Sequence, residues 1–106
     1  MGTPLPPNDH KISLDDAVRL TRRFRAEAVA GAPPIIAFAR EGYERILRQD
    51  GCAGIRSYPA INDAGAMTYV LVGVDAKGND MIDGELTEDG SVCPPICPDE
   101  NVLSAR

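Results

Sequence analysis

The chain has 106 residues, of which 43% are hydrophobic and 25% charged, with a formal net charge of -5, one histidine and three cysteines. That length supports one domain burying roughly 60–65% of the unfolded chain's surface, too little for a second domain or a large enclosed active site. The acidic balance argues against a nucleic-acid or anionic-membrane binder, whose partners are polyanions, and no apolar run is long enough to span a bilayer. The opening MGTPLPPNDHK lacks the basic and apolar regions of a secretory signal, so a cytoplasmic location is expected.

In chain order, residues 1–12 read as an extended arm, because prolines crowd a stretch with few large apolar side chains. A single domain follows over 13–90, and 91–106 form a tail expected to dock on the domain or on a partner. Ser13-Leu14-Asp15-Asp16 places a hydroxyl at a helix N-cap and carboxylates in the first turn. Leu14, Ala17, Val18, Thr21, Phe24 and Ala28 then make one stripe, opposite Arg19, Arg22, Arg23 and Glu27. Gly31 and Pro33-Pro34 end that helix. A second helix is expected from Pro34 to Gln49, with Ile35, Phe38, Gly42, Tyr43 and Ile46 on its inner side and Gly51 as its cap.

After Gly51 the period changes to two. Ile55 to Ile61 alternates, and Pro59 makes it an edge strand or a bulged one, since proline donates no ladder hydrogen bond. The turn Asn62-Asp63-Ala64-Gly65 leads into a valine-rich strand from Met67 to Val74, and the turn Asp75 to Asn79 into a third strand from Met81 to Thr87. The expected fold is α+β: two N-terminal helices packed on a three-stranded antiparallel meander, in the order α-α-β-β-β.

The middle strand is apolar on both faces. Thr68, Val70, Val72 and Val74 alternate with Met67, Tyr69, Leu71 and Gly73, whereas an antiparallel strand with one wet face alternates apolar with polar. Two helices cover one face, so the other requires the tail or another subunit, and Tyr69 and Leu71 are candidate interaction residues. Arg25 joins them because its wheel position lies between Leu14 and Val18, inside the apolar stripe, where it must snorkel out or meet an acceptor from the sheet or a partner.

Cys93-Pro94-Pro95-Ile96-Cys97 has three residues between its sulfurs and so lacks the spacing of a redox CxxC. Cys52 is the third thiol, and three readings stand. The thiols are structural; or they form a disulfide, Cys52 with a tail cysteine or Cys93 with Cys97 if a turn at Pro94 brings them together. The third is that Cys52, Cys93 and Cys97 bind zinc or another thiophilic metal, completed by His10, a carboxylate or a partner's ligand. In a reducing cytoplasm a disulfide is not the default. Arg19, Arg22, Arg23 and Arg25 could present a phosphate-binding face, but Asp15 and Glu27 stand at pairing distance along the helix. The acids from Asp75 to Asp89 lack the oxygen spacing of a calcium loop. No catalytic arrangement of nucleophile and base is legible.

The segments Gly51-Cys52-Ala53-Gly54-Ile55-Arg56, Val70 to Asp80 and Cys93 to Cys97 resemble a group of small bacterial proteins without an established activity. The resemblance covers most of the chain after Ser13. It implies a compact domain whose pattern includes all three cysteines, and it supplies no catalytic residues. The functional expectation is therefore a non-enzymatic module that self-associates or binds a protein partner through its sheet, with a thiolate metal-binding or redox-responsive protein as the alternative.

Overall fold

Ser13 opens the first helix of the computed structural model, which describes residues 2–27 and 35–104. Its Oγ accepts the Asp16 N–H at 3.1 Å and its carbonyl accepts the Ala17 N–H at 2.9 Å, so the cap satisfies donors that the helix itself leaves free. Helix α1 runs over Leu14–Glu27. The stop expected at Gly31 and Pro33-Pro34, and the stripe position Ala28, lie outside the described residues.

The second expected helix divides. Ile35–Ala37 is a strand, β1, and helix α2 spans only Arg40–Leu47. Two adjacent β-branched residues with no capping side chain before them favour extended backbone, and a partner strand elsewhere in the sequence claims them. Ala39 then holds the N-cap in extended geometry without a side-chain bond. The α-α-β-β-β order is therefore interrupted by a short strand between the helices.

Strands β2 (Cys52–Ile61), β3 (Met67–Asp75) and β4 (Leu86–Thr87) make an antiparallel sheet in the order β2-β3-β4. β2 starts earlier than expected, with a bulge between Cys52 and Gly54, and it occupies the edge position that Pro59 requires. The third strand is shorter than the expected Met81 to Thr87. Asp80 bridges Val74, a turn closes from the Gly84 N–H to the Met81 carbonyl at 3.0 Å, and pairing resumes only at Leu86. Asp83-Gly84 carries that turn chemistry inside the apolar run. The Asp75 to Asn79 turn forms as expected: Asp75 Oδ1 accepts the N–H groups of Lys77 and Asn79, and Gly78 takes φ +84°. Strand β5 (Ser91–Cys93) pairs antiparallel with β1, Ile35 opposite Cys93, as a separate two-stranded sheet. The tail strand therefore pairs with the segment before α2 and not with the three-stranded sheet.

Of the described helices, α2 is the one packed closely against the three-stranded sheet. Its Ile46 is fully buried, and Gly42 backs onto Thr87, whose Cγ2 would lie 3.0 Å from a Cβ there. Arg45 donates to the Leu86 carbonyl at 2.6 Å and Thr87 Oγ1 at 2.8 Å, and Gln49 Oε1 accepts the Glu85 N–H at 2.8 Å. Gly73 makes room for Gln49: a Cβ at that position would stand 2.9 Å from Gln49 Nε2 and 3.3 Å from Cys52 Sγ.

The strand register sorts the two faces of β3. Leu71 and Tyr69 share a face with Ser57 and Pro59, on the α2 side; Leu71 is 3% exposed, so the surface expected of it is already taken by the chain's own helix. Val74, Val72 and Val70 share the other face with Gly54, Arg56 and Tyr58. That face is capped at its Gly54 end by the N-terminal segment, with Leu5 Cδ1 lying 2.8 Å from where a Gly54 Cβ would stand and Thr3 passing over Gly78. At that end of the face the cover comes from the proline-rich N-terminal segment through Leu5.

Candidate functional site

Exposed apolar side chains are spread over the described residues, and α1 carries several of them. No residue of this amphipathic helix is buried. Ala17, Val18, Thr21 and Arg25 are half-buried and mark the side turned to the body, while Leu14, Leu20 and Phe24 remain 61%, 46% and 47% exposed. Arg25, expected to leave the stripe or find an acceptor, donates from Nη1 to the Leu103 carbonyl at 2.6 Å. Arg25 also lines a cleft of about 490 Å³.

That cleft is walled by Leu20 and Phe24 on one side and by Ile35, Pro94 and Leu103 on the other. The Leu103 wall is set by a turn in which Asn101 Oδ1 accepts the Leu103 N–H at 2.8 Å and the Ser104 N–H reaches the Asn101 carbonyl at 3.2 Å. Cys93, 9% exposed, lies in the cleft beside Pro94 and is disulfide-bonded to Cys97 with their Cα atoms 4.7 Å apart. The peptide bonds before Pro94 and Pro95 are both cis, and the Ile96 N–H bonds the Val92 carbonyl at 3.0 Å across the same turn. Cys52 is a free thiol on the other sheet, its S–H directed to the Gly54 carbonyl at 3.3 Å. Of the three sulfurs that the metal reading would bring together, two are joined to each other, as one of the disulfide readings has it, and the third stands apart. Among the described residues no group of three or more His, Cys, Asp or Glu side chains converges as a metal site.

A second concavity of about 430 Å³ separates Phe38 and Tyr43 from Tyr69 and Leu71. Phe38 and Tyr43 meet edge to face, with centroids 6.0 Å apart, so Tyr69 looks onto aromatic surface of its own chain. The arginines on the outer face of α1 pair locally, Arg19 with Asp16 at 3.6 Å and Arg23 with Glu27 at 3.9 Å. Asp16 thus replaces the expected Asp15 as the partner of Arg19. Such exposed pairs contribute little individually. His10 lies exposed in the arm, with its N–H held by Asn8 Oδ1.

One polar cluster was not anticipated from the sequence. Asp80 accepts from Arg56 Nη1 at 2.5 Å and from the Tyr58 hydroxyl, above the valine face of the sheet. The Tyr58 hydroxyl, and after it Arg56, holds the Asp80 carboxyl below the usual carboxylate range against the opposing effect of desolvation. The same bond raises the Tyr58 phenol. A phenol stabilised in its neutral form is a donor and not a base, so this cluster serves as a clasp between β2 and the segment after β3. The signal for it was the spacing of Arg56 and Tyr58, two apart on one strand face.

No family model, curated protein or solved structure matches the chain.

Proposed function

We propose that this protein is a small non-enzymatic interaction module that self-associates. The observation that carries the reading is surface area. The chain exposes 8,035 Å², whereas a folded monomer of 11.3 kDa is expected to expose about 5,700 Å². The excess of roughly 2,300 Å² is larger than the ~800 Å² that each partner buries in a standard interface. The radius of gyration points the same way, at 15.6 Å against about 13 Å for a compact chain of this length. Apolar side chains on α1, β1 and the tail make up part of that excess. The reading needs no nucleic acid or membrane, in keeping with the net charge of -5, and none of the described helices is long and apolar enough to cross a membrane. Native mass spectrometry over a dilution series tests it: dimers or higher species at micromolar concentration support self-association, and monomers throughout remove it.

A second reading, a redox-responsive protein, is favoured by the Cys93–Cys97 disulfide beside Pro94 in the cleft wall. In the cytoplasm, the location this reading retains, that couple meets dithiol reductants. Thiol titration in the unfolded protein distinguishes the states: one free thiol when oxidised and three after reduction. A native structure and self-association unaffected by reduction would set this reading aside.

A further inference from the structure

We infer that the copy it associates with docks on α1, the two α1 helices lying antiparallel about a two-fold axis beside Leu20; this rests on the self-association reading and names its surface. Arg25 and Thr21 face the body with Ala17 half-buried beside them, so the helix's free apolar flank here is Leu20 and Phe24, one turn apart on one side. Leu20 stands at the middle of the 14-residue helix. An axis there overlaps the two helices along their whole length, about 21 Å.

The charges choose the direction. At the edge of that flank stand Asp16 in the first turn and Arg23 in the second half, with Glu27 beyond it; Asp15, Arg22 and Arg25 lie on other sides of the helix. An antiparallel pair about Leu20 sets Asp16 close to the level of the partner's Arg23, leaves Glu27 level with the partner's Ser13, and puts each positive helix-dipole end against a negative one. A parallel pair would oppose acid to acid and base to base. The sequence of α1 is therefore complementary to itself in one orientation, which is what an isologous contact needs.

The surface around the helix extends the contact. Leu20 and Phe24 are one wall of the 490 Å³ cleft, and Ile35 and Leu103, both largely exposed, continue the apolar surface across it. The partner helix therefore meets a trough, and the excess exposed area is ample for a stable dimer.

Cross-linking tests the register. With Cys52→Ser removing the free thiol and Cys93–Cys97 bonded, Leu20→Cys should form a covalent dimer on mild oxidation, because a residue on the axis meets its own copy. Arg22→Cys, on the opposite side of α1, should not. Leu20→Asp places two carboxylates together on the axis and should weaken the dimer roughly 100-fold or more by sedimentation, without altering the far-ultraviolet circular dichroism of the monomer. A wild-type dimer that survives Leu20→Asp and fails to cross-link through Leu20→Cys overturns this surface while self-association stands. A wild-type chain that is monomeric at every concentration overturns both, including the case in which an amphiphile or an unrelated helix occupies the cleft.

Discussion

Truncating Ile46 to alanine removes the one fully buried side chain of α2, on the helix that covers the main sheet. Three methylene-sized groups at ~0.8 kcal/mol each forfeit about 2.4 kcal/mol of transfer free energy. The cavity left against the sheet adds about 1 kcal/mol, so the expected cost is roughly 3–4 kcal/mol. A chain of this length has roughly 5–15 kcal/mol of stability in all. The buried apolar side chains of the described residues are few, namely Ile46, Leu71, Val72, Val74 and Cys93, so little else can take up the loss. Urea unfolding followed by circular dichroism should show the midpoint falling by roughly 1–3 M. The companion variant is Leu20→Ala, which in dilute protein should cost about 1 kcal/mol or less, because that side chain is half exposed. A loss below about 1 kcal/mol for Ile46→Ala, or equal losses at the two sites in dilute protein, would refute the claim that α2 and not α1 seals the sheet.

Three further outcomes follow from the clasps around that sheet. Asp80 has a depressed folded pKa, so its contribution is present above the unfolded value near 3.9 and lost as pH falls below it; Tyr58, shifted up, adds a loss that begins above about pH 10. Asp80→Asn should flatten the acid limb of a stability–pH profile, and an unchanged limb would contradict the clasp. Arg45→Met should cost about 1–2 kcal/mol through the bonds to Leu86 and Thr87, after allowance for partial exposure, and no loss in denaturation would mean those bonds are not formed in solution. Reducing Cys93–Cys97, which closes a loop of only about five residues, should lower stability by about 2 kcal/mol in the chain-entropy treatment; Cys93→Ala/Cys97→Ala should match the reduced protein, and a much larger loss would show that the bond also holds the tail in place.

What could be read from the sequence was local. Ser13 and the acids after it fixed the start of α1, the turn residues at 62–65 and 75–79 fixed the β2-β3 hairpin and the chain's departure from β3, and Pro59 marked an edge. The failures share a cause: each depended on a distant partner. Ile35–Ala37 followed helical spacing, but Ser91–Cys93 provides a ladder that periodicity cannot register. Composition makes residues 1–12 an arm, while one side chain within them, Leu5, closes the end of the valine face because Gly54 leaves room for it. A strand apolar on both faces needs two covers, and here α2 takes one face, burying Leu71, while Leu5 closes the Gly54 end of the other. Arg25 was marked by its position in the apolar stripe, and it does lie at the cleft.

The central claim is that this chain leaves apolar surface on α1 for a second copy of itself. Sedimentation equilibrium of the wild-type protein from micromolar to millimolar concentration tests it most directly. A mass rising toward twice 11.3 kDa, and falling back in Leu20→Asp, is the predicted result; a mass of 11.3 kDa at every concentration would contradict it.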